Sequence, residues 1–144
     1  MKLPRILRIA LAKSLYLLVN FVQKSPHRSI LMAFRYRYPK ASFPTWAFQG
    51  DGVWEVTFSK GTKEHCAIFD SSGNWLGTRT IISRNMLPTK IWAHLKEHFV
   101  KPDFLKIIQL SMPQGQFYEL DIYEGTHYIH LYYDGKGNLY DQGI

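Results

Sequence analysis

Two histidines, His94 and His98, stand four residues apart in a segment whose apolar spacing predicts a helix. This spacing places both rings on one side of the helix, where they could chelate a metal ion. A zinc-protease helix has a glutamate directly after its first histidine, but Leu95 occupies that place here. Both histidines also adjoin the polar Lys96 and Glu97. We therefore expect both side chains to be solvated and predict no metal site.

Two aspartates, Asp70 and Asp134, could form a pair of catalytic carboxyls. General acid and base catalysis requires two carboxyls that converge on one bond. Each aspartate instead opens an Asp-x-x-Gly-Asn run, at 70–74 and at 134–138. In such a run the Asp can accept local backbone hydrogen bonds and the Gly can adopt a positive φ. We interpret both aspartates as turn-forming residues.

The single cysteine, Cys66, cannot form an internal disulfide. A thiol nucleophile needs a base beside it, and the adjacent His65 would point to the opposite face of a strand. The sequence also lacks G-x-S-x-G, H-E-x-x-H, a phosphate-binding loop and a C-x-x-C pair. We therefore predict no enzymatic activity, no catalytic residue and no cofactor.

The last predicted hairpin carries a tyrosine-rich surface. If Ile129, Leu131 and Tyr133 face the core, the alternate residues of that strand face outward. With one tyrosine of the neighbouring strand, they form the predicted partner-binding set: Tyr123, Tyr128, His130 and Tyr132. Tyrosine is favoured at interfaces because it combines contact area with an orienting hydroxyl, but cross-strand packing that only stiffens the sheet explains the pattern equally well. The hairpin histidines, at 127 and 130, are otherwise expected to be ordinary edge and surface residues.

The segments that must position these residues occur twice in the sequence. W-E-V-T-F at 54–58 returns as Y-E-L-D-I at 118–122, an offset of 64 residues. Both copies alternate apolar and polar residues, which predicts antiparallel strands with one buried face and one wet face. Trp54, Val56 and Phe58 are predicted to point inward and Glu55 outward.

A helix precedes each predicted sheet. The first is predicted to start near Ser25, as a cap, and carries Ile30, Phe34 and Tyr38 at helical spacing. The same spacing recurs at 91, 95 and 99, an offset of 61. We predict an α+β fold, a tandem repeat of a helix plus about four antiparallel strands, with repeats at 25–83 and 84–144.

Residues 1–24 form a separate segment in this prediction. Lys2, Arg5 and Arg8 precede an apolar run at 9–22 that Lys13 interrupts. This order is typical of a secretory signal, although a basic helix lying on the membrane surface is the main alternative. Residues 1–40 hold nine bases and no acid, for a charge of +9, whereas the other residues hold nine bases and eleven acids, for −2. Because the duplicated region is not basic, we predict no nucleic-acid partner.

The repeat resembles the PepSY-like, beta-lactamase-inhibitor-like family of bacterial proteins of unknown function. The resemblance spans roughly residues 27–141 and depends on these segments, in this order: F-R-Y-R-Y-P at 34–39, Trp46, W-E-V-T-F at 54–58, F-D-S-S-G-N-W at 69–75, L-P at 87–88 and Y-D-G-K-G-N-L at 133–139. It implies a tandem helix-plus-antiparallel-sheet fold, export to the periplasm or the cell surface, and no enzymatic activity.

These observations predict an exported, non-catalytic binding or inhibitory module that presents a β-sheet surface to a protein or peptide partner. The alternative is a membrane-associated structural or sensory protein held by its N-terminal basic helix, with membrane contact through residues 1–24. The sequence does not define the partner or the oligomeric state.

Overall fold

The computed structural model describes residues 25–143, so the predicted signal-like or interfacial helix at 1–24 lies outside the described residues. The chain divides into two compact units, which meet in sequence between Thr78 and Arg79. This division falls inside a strand, whereas the predicted repeat boundary follows that strand. The repeat boundary stays a prediction.

The first unit contains one helix and a sheet that follows the order of the sequence. Helix α1 spans Arg28–Arg37, and the strands are β1 (Ser42–Gly50), β2 (Val53–Lys60), β3 (Lys63–Phe69) and β4 (Trp75–Ile81), which continues into the second unit. Strands β1 and β2 pair antiparallel, as do β2 and β3. The predicted strands and tight reversals are therefore found where the alternation and the glycines placed them.

The second unit has the same kinds of element in the same order. A short 3-10 turn at Arg84–Met86 leads into helix α2 (Thr89–His98), which is followed by β5 (Asp103–Met112), β6 (Gly115–Glu124), β7 (His127–Asp134) and β8 (Leu139–Gly143). Strands β5 to β8 pair antiparallel in succession. The α+β architecture of helices and antiparallel strands is confirmed.

Helix α1 begins later than the sequence predicted. Its N-terminal cap is His27, whose Nδ1 accepts a hydrogen bond from the backbone N–H of Ser29, and the cap predicted at Ser25 is wrong. Any side-chain acceptor at this position can satisfy one of the N–H groups that a helix start leaves unpaired. The helix ends before Pro39, as expected, because proline disfavours a helical conformation in the residue before it.

The core of the first unit forms between α1 and one face of its sheet. Ile30 and Phe34, one helical turn apart, are 1% and 5% exposed. Phe34 contacts the ring of Phe58 edge-on, with ring centroids 5.1 Å apart, and that of Trp46 at 5.3 Å. Such contacts add to the free energy gained by removing the rings from water. The inward set predicted from β2 is confirmed: Trp54, Val56 and Phe58 are all buried.

The core of the second unit is built in the same way. Ile91 and Leu95 of α2 are buried at 0% and 1% exposure and pack in one cluster with the inward face of β6 and β7. The sheet residues of that cluster include Leu120, Leu131 and Tyr133, each with 0% exposure. Removing these apolar side chains from water supplies the main stabilisation of each helix, because an isolated helix of this length is unstable.

The face of the sheet away from the helices is not uniformly wet. Glu55, predicted to point into water, is 6% exposed and accepts a hydrogen bond from Gln49 Nε2 at 3.1 Å. Ile68 of β3 and Ile108 and Leu110 of β5 also lie on faces away from the helices, with exposures of 0 to 2%. The prediction of one buried face per sheet is therefore wrong at these positions.

Candidate functional site

The β6–β7 hairpin presents the predicted partner-binding residues on one face. A two-residue turn at 125–126, with Gly125 at a φ of 60°, pairs Glu124 with His127. This register pairs Tyr123 with Tyr128 and continues along the strands. Tyr123, Tyr128, His130 and Tyr132 therefore lie on the same side of the hairpin, opposite the core, and we call this set the tyrosine face.

The rings of the tyrosine face contact each other in pairs. Tyr123 and Tyr128 meet at an interplanar angle of 66°, with centroids 5.7 Å apart, and His130 meets Tyr132 at 77° and 4.4 Å. Tyr123 is 36% and Tyr128 43% exposed. These pairs hold the rings in defined positions while leaving part of each aromatic surface accessible to a partner.

Two acidic residues of β6 share this face with the tyrosines. The Tyr128 hydroxyl donates to Asp121 Oδ1 at 2.7 Å. Partial burial, with this hydrogen bond and the negative charge of Asp121, raises the pKa of Tyr128 well above its ordinary value. The hydroxyl therefore remains protonated and can continue to donate.

His130 lies between the two acidic side chains. Its Nδ1 is hydrogen bonded to Asp121 Oδ1, and its Nε2 is 3.5 Å from Glu119 Oε1. The other carboxylate oxygen, Glu119 Oε2, is buried and has no hydrogen-bond partner among the described residues. Burial, although opposed by the nearby His130, raises the pKa of Glu119, and the charge of Asp121 raises it further.

Sequence reasoning placed the members of this cluster on an outward face but did not bring them together. The alternation of β6 predicts that Glu119 and Asp121 point outward with Tyr123, yet neither acid was connected with His130. The available signal was the two-residue turn at 125–126, which fixes the register. That register sets Asp121 directly opposite His130 and Glu119 opposite Tyr132. His130 is partly buried within this cluster, so the expectation of an ordinary surface histidine is wrong for it.

The pair on α2 is also more structured than predicted. His94 Nδ1 is 2.8 Å from the buried Tyr133 hydroxyl, and its ring stacks on that of His98 with centroids 4.2 Å apart. Partial burial, followed by the charge of His98, lowers the pKa of His94. His98 is exposed, as expected, but the prediction that His94 is simply solvated is wrong. His94 instead links α2 to β7.

Both aspartates of the Asp-x-x-Gly-Asn runs form turns. Asp70 Oδ1 accepts from the backbone N–H groups of Ser72 and Asn74, and its Oδ2 accepts from Asn74 Nδ2, each at 2.9 Å. Asp134 accepts the corresponding three hydrogen bonds, also at 2.9 Å, from Lys136 and Asn138. These bonds account for both carboxylates, and the turn interpretation is confirmed.

The remaining candidate is the cysteine. Cys66 is a buried thiol on β3. The neighbouring His65 stacks on Phe58 of the inward face, with ring centroids 5.5 Å apart. Consecutive strand residues point to opposite faces, so the two side chains do not form the nucleophile and base of a thiol enzyme.

Residues 52–141, from the end of the β1–β2 turn into β8, match a family model described provisionally as beta-lactamase-inhibitor-like and PepSY-like. The chain belongs to the PepSY-like family. The PepSY-like match includes the whole tyrosine face and both Asp-x-x-Gly-Asn turns. The sequence matches no curated protein.

Solved structures show the same fold at low sequence identity. A BLIP-like protein of Bacteroides fragilis has a TM-score of 0.76 and 21% identity over 85% of this chain and 88% of its own. A DUF2874 family protein of Bacteroides ovatus has a TM-score of 0.75 and 18% identity over 84% and 89%. A Bacteroides eggerthii protein described provisionally as periplasmic has a TM-score of 0.74 and 13% identity over 83% and 89%. The chain therefore has a BLIP-like fold, consistent with its PepSY-like family.

Neither helix described in residues 25–143 has the length and hydrophobicity that crossing a bilayer requires.

Proposed function

We propose that this protein is an exported, non-catalytic binding module whose tyrosine face docks onto a protein or peptide partner. The observation that carries the proposal is the arrangement of exposed aromatic rings on a hairpin anchored in the core. Tyr123 and Tyr128 keep 36% and 43% of their surface in contact with solvent. The opposite side of the same strand holds Leu131 and Tyr133, both fully buried.

This arrangement meets the physical requirements of a docking surface. The rings are ordered before binding by edge-on contacts and by the hydrogen bond between Tyr128 and Asp121. A partner would therefore have to immobilise few side chains, which reduces the entropic cost of association. Tyrosine is among the residue types that dominate binding free energy when a partner desolvates them.

Export, the absence of catalysis and the tandem repeat belong to the same proposal. Export is supported by the basic residues and the apolar run at 1–24, and by the provisional periplasmic description of the B. eggerthii protein. The carboxylates of Asp70 and Asp134 have turn roles that explain them without catalysis. The tandem repeat is supported by these two turns, which make the same hydrogen bonds 64 residues apart.

The test of docking is a matched pair of variants. Tyr128→Ser with Tyr132→Ser removes two rings of the tyrosine face, whereas Tyr36→Ser removes a ring that is 91% exposed on α1. Wild type and both variants are used to capture and cross-link partners from a native envelope extract, with circular dichroism as the check on folding. We expect the double variant to fold and lose a specific partner that wild type and Tyr36→Ser retain. Equal capture by all three would reject the tyrosine face as the docking surface.

The membrane-associated alternative depends on residues 1–24, outside the described structure. Cell fractionation with N-terminal sequencing separates the two functions. A mature chain that begins near residue 23 supports export with cleavage, and an intact N-terminus in the membrane fraction supports the alternative.

A further inference from the structure

The geometry points to a zinc-binding site in the second unit, formed by Glu119, Asp121 and His130. One donor atom from each of these side chains lies within 4.8 Å of the other two. An imidazole nitrogen and two carboxylate oxygens are donors that Zn²⁺ accepts in proteins. This inference differs from the sequence prediction of no metal site, and it does not depend on the docking proposal.

The strand register brings the three donors together on rigid backbone. Asp121 and His130 are direct cross-strand partners in the β6–β7 ladder, and Glu119 lies two residues before Asp121 on the same face. Side chains at such positions project in parallel from neighbouring points of a sheet. The donors therefore converge without any loop that must close around the ion.

Glu119 supplies a separate observation that points to a missing ligand. Its side chain is only 12% exposed, and its buried Oε2 has no hydrogen-bond partner among residues 25–143. Buried carboxylate oxygens are almost always satisfied, since an unmade bond leaves the desolvation cost uncompensated. Lys106 and Arg79 act on Glu119 through their charges, yet the oxygen remains without a donor. A dication next to this oxygen would supply the missing contact and would offset the repulsion between the two carboxylates.

The surroundings of the three donors match those of known metal sites in two respects. The Tyr128 hydroxyl donates to Asp121 Oδ1 at 2.7 Å and so orients that carboxylate from outside the site. Each ring nitrogen of His130 has a carboxylate oxygen of the cluster as its neighbour, so whichever nitrogen binds the ion has a second ligand beside it. Three protein ligands would leave one zinc position open for water or for a group from a partner.

The first unit does not carry this donor set at the equivalent register positions. In the β2–β3 hairpin, Glu55 occupies the place of Glu119, but Thr57 is paired with Cys66 where Asp121 is paired with His130. The BLIP-like hairpin therefore does not require the cluster for its folding. A zinc-binding function confined to the β6–β7 hairpin would produce this difference between the two hairpins.

The experiment is isothermal titration calorimetry of the full mature chain, without an affinity tag, with ZnCl₂ alone. We expect one Zn²⁺ per chain, and a rise in the melting temperature when zinc is added. His130→Gln, Asp121→Asn and Glu119→Gln should each weaken binding by more than about 100-fold, beyond the range typical of outer-sphere partners. Tyr128→Phe, which keeps all three donors, should weaken it by about 10-fold for the same reason.

His98→Gln is the matched control, because His94 and His98 are two further zinc-binding side chains that lie together in the described part of the second unit. This variant should bind zinc like wild type. Thermal melting without zinc shows which ligand variants are folded, and Tyr128→Phe keeps the test informative if one of them is not. Calcium should compete poorly, since a nitrogen donor favours Zn²⁺ over Ca²⁺. The assignment would be overturned if wild type bound no zinc, if His130→Gln still bound zinc like wild type, or if His98→Gln lost zinc binding.

Discussion

The turn that contains Gly73 packs against the first turn of α1. An alanine substitution at Gly73 measures the free energy of that contact. Gly73 has a φ of +85°, and a Cβ added there would lie 3.0 Å from the backbone oxygen of Ser29 in the first turn of α1. Gly50 has almost the same φ, +86°, but an added Cβ would meet nothing within 4 Å. The two alanine substitutions therefore meet a similar cost at φ and differ in the steric contact.

The expected magnitudes follow from that difference. A non-glycine residue in the left-handed conformation costs about 1–2 kcal/mol, so Gly50→Ala should lower the free energy of unfolding by this amount. Gly73→Ala should cost about 1–3 kcal/mol more, because the backbone of α1 or of the turn must move to admit the methyl group. Together these terms are a large fraction of the about 5–15 kcal/mol that stabilises a typical domain.

The assay is urea unfolding of both variants, followed by tryptophan fluorescence, because Trp75 begins the strand after Gly73. The curves should show a lower midpoint for Gly73→Ala than for Gly50→Ala, with the same slope. Equal destabilisation of the two variants would show that the turn does not press against α1, and the packing of this unit described above would be incorrect.

Two further predictions concern the second unit. Tyr133→Phe should lower the free energy of unfolding by about 1 kcal/mol, because it removes the buried hydroxyl that is hydrogen bonded to His94 Nδ1. Urea unfolding measures this free energy, and unchanged stability would contradict a role for the bond. Although partial burial alone would raise the pKa of Asp134, hydrogen bonds from Asn138 and Lys136 lower it below the ordinary 3.8. The charged Asp134 therefore stabilises the folded state above pH 3.8, and this stabilisation is lost as the pH falls through the lowered value. The stability advantage of wild type over Asp134→Asn should shrink on acidification through this window, and an advantage independent of pH would exclude a contribution from the charge.

Much of the fold could be predicted because its signals are local. The helical spacing of Ile30 with Phe34, and of Ile91 with Leu95, identified the side of each helix that is buried. The Asp-x-x-Gly-Asn runs contain every group of their turns within five residues, so their hydrogen bonds follow from sequence alone. The helix cap at His27 was missed because serine is the more frequent capping residue.

The errors arise where burial or contact depends on residues distant in sequence. Glu55 alternates with apolar neighbours, as an exposed residue would, yet it is buried beside Gln49. The contact of His94 with Tyr133 joins residues 39 positions apart and leaves no mark in the helical pattern of α2. The pairing of Asp121 with His130 could have been predicted, because counting outward from the turn at 125–126 gives it. Only the convergence of their side chains depends on the folded structure.

The pairing of each strand with a near neighbour in sequence has a consequence for the way the protein is made. In the first unit β1 pairs with β2 and β2 with β3, and in the second unit β5 to β8 pair in succession. Each such hairpin closes only a short loop, so little chain entropy opposes its formation, and proteins rich in local contacts fold quickly. The first helix and the β1–β3 ladder can therefore assemble as the chain emerges from its N-terminal end, before the residues of the tyrosine face have emerged.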